Sequence, residues 1–214
     1  MPTIVFLATA WGPKAGGINT FNMDIARALA KVVGSRGRVV CVVPKSASND
    51  DDSPEHRVTT DAGVKIVHLG LEAEAAWFDP GWVGSTWTRL RDAGIDAVDW
   101  WIGHDVVSGE AANRARTETK QGHSAVIMHM SYRDYQGFKH GSSQEAQRKH
   151  EKQRKVFAAA DRVLAVGPLL RNRASELADD VRMLIPGLPE SGRARPPVDF
   201  RDGSHHDRRT PAEA

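Results

Sequence analysis

Short apolar runs alternate with longer amphipathic stretches along most of the chain. Pro2–Thr9 is continuous enough for a buried strand, and Thr20–Val33 repeats its apolar residues at Phe21, Ile25, Ala28, Leu29 and Val32, one face of a helix. Asn19 or Thr20 can cap that helix. The same two-step pattern recurs. Gly37–Val43, Val64–Leu69, Val98–Ile102, Ser124–His129, Arg162–Val166 and Val181–Ile185 read as strands. Trp82–Ala93, Ser108–Lys120, Gln144–Ala160 and Pro168–Ala178 read as helices, with Ser108 a cap and Pro168 in a first turn. Apolar strands separated by helices predict an α/β domain, a doubly wound, mostly parallel sheet of Rossmann-like form covered on both faces.

Such sheets bind ligands at the carboxyl ends of their strands. Four predicted loops lie there: Thr9–Asn19, Gly70–Trp82, Gly103–Ser108 and His129–Ser143. Two polar segments carry too little apolar surface to offset ordering entropy, and both read as poorly ordered: Ser46–Asp61 and the chain after about Pro189. The expected division is therefore one domain over residues 1–188 and a disordered tail over 189–214.

Composition narrows the function classes. A formal net charge of +2 over 214 residues implies neither a nucleic-acid nor a membrane-surface partner. No apolar run is long enough to span a bilayer, and the stretch before Ala8-Thr-Ala10 has no basic start, so a cytoplasmic protein is expected. The single cysteine, Cys41, lies inside Val39–Val43 and reads as a small buried hydrophobe in a reducing compartment. Nine histidines do not form a zinc motif, and Asp50-Asp-Asp52 reads as a solvated acidic loop rather than a metal site. No metal or cofactor is expected.

The candidate chemistry is concentrated in the four loops. Gly16-Gly17 joins the first strand to the first helix. Without a Cβ, a phosphate or sugar can approach the backbone there, and the free N–H groups of the helix start favour an anion. A plain tight turn explains the same two glycines. The spacing matches neither a P-loop nor the dinucleotide fingerprint G-x-G-x-x-G. His104, just after the strand Val98–Ile102, can bond a ligand hydroxyl or only fix its own loop. His129 ends the strand Ser124–His129. After it, Tyr132, Arg133, Tyr135 and Lys139 crowd one loop, residue types suited to sugar faces and to phosphate or carboxylate groups.

Several strings taken in order resemble the N-terminal half of the GT-B retaining glycosyltransferases of the glycosyltransferase 4 type. They are Gly16-Gly-Ile-Asn-Thr-Phe21, Ile102-Gly-His-Asp105, His129, Glu151, Val156-Phe-Ala-Ala-Ala-Asp-Arg-Val-Leu-Ala-Val166 and Pro186-Gly-Leu188. The resemblance runs from about Thr3 to Leu188. It implies an acceptor-side domain in an enzyme that moves a sugar from a nucleotide-sugar to a glycan or small-molecule acceptor. By this resemblance His129 is the catalytic residue, set against the transferred sugar. Gly16, Gly17, His104, Tyr132, Arg133, Lys139 and Glu151 would bind substrate, Glu151 by orienting loops. The family's donor half, with its E-x(7)-E pair, has no counterpart in these residues. Little activity is therefore expected without a separate C-terminal donor-binding chain. The alternative is a stand-alone, non-catalytic ligand-binding or regulatory module that keeps the fold.

Overall fold

The computed structural model describes residues 1–44, 58–69, 82–136 and 143–187. Its elements run β1 (Thr3–Leu7), α1 (Gly17–Val33), β2 (Arg38–Val43), β3 (Val58–Asp61), β4 (Val64–His68), α2 (Trp82–Asp92) and β5 (Trp100–His104). Then follow α3 (Val107–Thr119), β6 (His123–Met128), α4 (Tyr132–Gln136), α5 (Ser143–Ala158), β7 (Arg162–Val166), α6 (Pro168–Ala174) and β8 (Val181–Leu184). Eight strands form one sheet in the order β3-β4-β2-β1-β5-β6-β7-β8. Every neighbouring pair is parallel except β3 with β4. This is the doubly wound, mostly parallel architecture that the pattern predicts.

Alternate residues of the central strands feed opposite faces, as the strand period of two requires. Val5 and Leu7 join a core with Trp82, Leu90 and Trp101 on one side. Phe6 and Ala8 join Cys41, Ile66, Ile102 and Ile127 under α1 on the other. A third cluster, around Met128, Phe157 and Val163, fixes α5 and α6 to the β6–β7 side. Fully burying one such Leu or Phe side chain contributes roughly 1.5–3 kcal/mol. These clusters hold the strand ends in place for the site.

The chain runs outward from β1 to β2 on one side and from β5 to β6 on the other. The direction of winding therefore reverses between β1 and β5, and a crevice opens at their carboxyl ends.

The structure corrects several expected boundaries. Residues 58–61, placed in a polar disordered stretch, form β3, with Thr59 paired to Ile66. An edge strand needs only one ladder and one covered face, so a polar sequence suffices. Helix α1 starts at Gly17 on an N-cap Gly16 at φ 95°, and no side chain caps it. Its buried residues are Asn19, Asn22, Met23 and Ala26, whereas Val32 is 70% exposed. Phe21, Ile25 and Leu29 pack partly buried against the core, as the spacing predicts, and the most buried stripe beside them takes in two asparagines.

Strand β5 runs to His104, so Gly103 and His104 lie in the sheet rather than in a loop. Ser108 is not a helix cap. Its Oγ accepts the His104 N–H at 2.7 Å, while α3 begins at Val107. Tyr132–Gln136, read as loop, is a short helix, and α6 ends at Ala174 rather than Ala178. Lys139, Asp50-Asp-Asp52, the loop 70–81 and the tail from 188 lie outside the described residues.

Candidate functional site

A cleft of about 260 Å³ opens at the switch point between β1 and β5. Its walls include Thr9, Gly16, Gly17 and Asn19 from the β1–α1 connection, His104, Asp105 and Ser108 from the β5–α3 connection, and Tyr132 from α4. Three of the four predicted carboxyl-end loops therefore meet there.

The glycine loop is held open by its neighbours. Asn19 folds back on it, its Oδ1 accepting the Ala10 N–H at 3.2 Å and its Nδ2 lying 3.1 Å from Thr9 Oγ1. Trp11 Nε1 donates to Asp61 Oδ2 at 2.9 Å, and Arg27 donates to the same oxygen at 2.6 Å. Burial acts to raise the Asp61 carboxyl, but the hydrogen bonds from Arg27 and Trp11 outweigh it and hold the group below its usual range. Thr20 Oγ1 bonds the Gly16 carbonyl and caps no amide of the first turn. The first turn of α1 therefore has neither a side-chain cap nor an acidic residue. Its N–H groups and the positive end of the helix dipole face the cleft wall that Gly16 and Gly17 form.

Opposite this wall lies a largely buried chain of polar side chains that ends at the half-buried His129. His104 is 4% exposed. Its Nε2 lies 2.9 Å from Asn22 Oδ1, and its Nδ1 lies 2.9 Å from His129 Nε2. Asn22 Nδ2 in turn donates to Cys41 Sγ at 3.3 Å. The Phe21 ring meets the His129 ring edge-on, with centroids 4.8 Å apart. Burial pulls His104 down to about 3, helped by the neighbouring His129, and pulls His129 down to about 4. Both rings are therefore neutral near pH 7. They act as directed donors and acceptors, not as cations. Burial also pushes the Cys41 thiol up to about 12 against its bond from Asn22, so it is an inert thiol.

Asp105 is the residue that sequence reasoning passed over. It follows β5 with φ 45°, a left-handed backbone that Asp tolerates better than most residues. Its own N–H donates to Ile127 O at 2.9 Å, and its Oδ1 accepts the His129 N–H at 2.9 Å. It thereby joins the ends of β5 and β6. The side chain is buried, and Oδ2 has no hydrogen-bond partner among the described residues. Burial pushes this carboxyl up to about 7, opposed by hydrogen bonds from the His129 and Met130 amides. The signal available beforehand was its place, an acidic residue directly after a strand of a parallel sheet.

The predicted site residues divide into two groups. Gly16, Gly17, His104 and Tyr132 line the cleft, and His129 adjoins it through His104. Burial and the charge of Asp105 raise the Tyr132 hydroxyl. Arg133 turns away to Glu176, at 2.9 Å, and Glu151 stands on the exposed side of α5 with Gln147 Nε2 at 3.4 Å from its carboxylate. Neither reaches the cleft. On α5 it is Gln153 that performs the orienting role. Fully buried, it accepts the Tyr132 N–H at 3.2 Å and donates to Met130 O at 2.8 Å, pinning the turn after β6. Among the described residues, no group of three His, Cys, Asp or Glu gathers closely enough to hold a metal ion.

Residues 5–209 match the profile of the family 4 glycosyltransferases in conflict systems. The chain belongs to that family. No curated protein sequence matches it. Among solved structures, sucrose-phosphate synthase from Thermosynechococcus elongatus aligns with a TM-score of 0.63 at 15% identity, over 88% of this chain and 49% of that one. Phytolacca americana UGT2, complexed with UDP-2-fluoroglucose and pterostilbene, aligns with a TM-score of 0.55 at 11% identity, over 90% of this chain and 56% of that one. At these identities the likeness shows a shared fold, that of GT-B glycosyltransferases. The family 4 chain spans about half the length of these two structures. Among its described residues no helix is long and apolar enough to cross a membrane.

Proposed function

We propose that this chain is the acceptor-side half of a retaining, cytoplasmic family 4 glycosyltransferase. It would transfer a sugar from a nucleotide-sugar to a glycan or small-molecule acceptor. The observation that carries the reading is the cleft itself, an uncapped helix start across the β1–β5 switch point from the buried His104, whose ring pairs with the half-buried His129.

Each wall suits one part of that reaction. The Gly16-Gly17 backbone and the α1 N-terminus meet the diphosphate, whose charge grows as the glycosidic bond to it breaks. No metal or cofactor is called for, because amides and the helix dipole answer that charge. His129 is the catalytic residue, set against the sugar as positive charge develops at the reacting carbon. His104 and Tyr132 bound the acceptor, and Asp105 Oδ2 takes up a substrate hydroxyl, gaining the partner it lacks. A second Rossmann-like half, on the same polypeptide or a separate one, closes the cleft over the donor nucleotide. Structural neighbours about twice as long support that arrangement. Positioning both substrates in a closed, dry site supplies much of the rate, so this half alone should turn over little.

The test is transfer or hydrolysis of a panel of nucleotide-sugars (UDP-glucose, GDP-mannose, ADP-glucose) by the chain with and without a C-terminal donor-binding half. The expected result is turnover only in the pair, reduced about 100-fold or more by His129→Ala. Absence of both binding and turnover with every donor, in the presence of that half, would overturn the reading.

A further inference from the structure

The four side chains Cys41, Asn22, His104 and His129 form a continuous series, buried at the first three and half-buried at His129, from the middle of β2 to just past the end of β6. Protons along such a series cannot be placed independently. An amide oxygen only accepts, so the 2.9 Å contact of Asn22 Oδ1 requires the hydrogen of His104 to be on Nε2. A neutral imidazole has one N–H, so His104 Nδ1 is left as an acceptor. The 2.9 Å contact between the rings must then be made by an N–H on His129 Nε2. That leaves His129 Nδ1 without a proton.

We infer that Asn22 is a positioning residue whose side-chain oxygen fixes both histidines in the Nε2–H form, so that His129 carries a bare Nδ1. The consequence for chemistry rests on the sugar-transfer reading above. A lone pair at the reacting sugar accepts a hydroxyl and stabilises developing positive charge, whereas an N–H dipole there would oppose that charge. Asn22 is fully buried outside the cleft lining and acts through two other residues. Its amide is oriented by Cys41, whose sulfur receives the Nδ2 hydrogen. Were the amide turned end for end, its nitrogen would donate to His104, every hydrogen in the series would reverse, and His129 would carry its proton on Nδ1. Burial supports the inference by keeping both rings neutral, so that one tautomer and not an imidazolium is in question.

Side-chain nitrogen-15 NMR of the intact chain, labelled at histidine and held at pH 7, reads this directly. The expected spectrum has a pyrrole-like Nε2 and a pyridine-like Nδ1 for both His104 and His129. In Asn22→Leu, which has no acceptor, both rings are expected to shift toward tautomer-averaged positions. A pyrrole-like Nδ1 on wild-type His129 would overturn the inference, as would an Asn22→Leu spectrum identical to wild type. The wild-type spectrum decides the tautomer without any variant, so failure of Asn22→Leu to fold leaves the test standing. The readout uses neither ligand nor turnover, and its failure is therefore distinct from failure of the sugar-transfer reading.

Discussion

Two regions of this sheet handle charge in opposite ways. At the carboxyl ends of β1, β5 and β6 the polar groups are buried, and burial dominates them: Asp105 is pushed up to about 7, His104 down to about 3. At the β7–β8 edge the same residue types lie in solvent and pair off. Arg173 bridges Asp134 at 2.8 Å and Glu176 at 3.1 Å, and Arg162 holds Asp180 at 2.9 Å. Arginine partners there hold the Glu176 and Asp180 carboxyls below their usual range. Apolar side chains follow suit, with Leu169 and Ile185 more than two-thirds exposed at that edge. The position of a group relative to the sheet centre, not its residue type, decides whether it can be a ligand group. Arg133 shows this: it has the right chemistry for a phosphate, yet it belongs to the surface network.

The contrast can be broken most sharply at Gly103. A Cβ there would overlap the Ser108 carbonyl, where the start of α3 lies against β5. Gly103→Ala is expected to cost about 3 kcal/mol by chemical denaturation, because backbone and not a flexible side chain must move. His104→Leu comes next. It leaves the fully buried Asn22 Oδ1 without the N–H it accepts and should cost about 2 kcal/mol in the same measurement.

The pH dependence of stability sharpens the comparison further. His104 and His129 titrate near 6.5 when unfolded but at about 3 and about 4 when folded. The unfolded chain therefore binds more protons below pH 6.5. Their contribution is complete above that pH and is lost as pH falls toward 4. Asp105 acts oppositely: its folded value of about 7 lies above its ordinary 3.8, so it favours folding at low pH and loses that contribution as pH rises to about 7. Each such proton changes stability by up to about 1.4 kcal/mol per pH unit. Denaturation midpoints measured from pH 7 to pH 4 should therefore fall more steeply in Asp105→Asn than in wild type, and less steeply in His104→Leu. A wild-type profile flat across this window would contradict the burial of the pair. The smallest effect belongs to the other region: Arg173→Ala should leave the midpoint within error, since exposed pairs contribute little.

Much of the fold was legible because burial writes a period into the sequence. The runs Val39–Val43 and Arg162–Val166 have no helical spacing, and both are strands close to the expected bounds. The site was legible where chemistry and strand ends coincide, as at Gly16, Gly17, His104 and Tyr132. It was illegible where a polar residue is buried for a structural reason. Asn22 and Gln153 look like solvent-facing residues of amphipathic helices, yet both are fully buried and tie helices to the ends of the strands. Glu151 was carried by resemblance to a segment, and the helix turned its side chain outward while presenting Gln153 two residues later.

The sequence by itself determined the alternation of strands and helices, hence a parallel, doubly covered sheet and the loops at its carboxyl ends. These follow from local periodicity and from the glycines and prolines that stop each element. Only the tertiary structure decided which of those loops converge, and which rotation α1 adopts. Only it brought Asn22 and His129, both far from His104 in the chain, each to 2.9 Å from a ring nitrogen of His104. Hydrogen-bond partners at such separation leave no period in the sequence. They arise when strands pair in register, here Ile102 with Ala125 and His104 with Ile127. The burial this produces removes the water that would otherwise have satisfied each group separately.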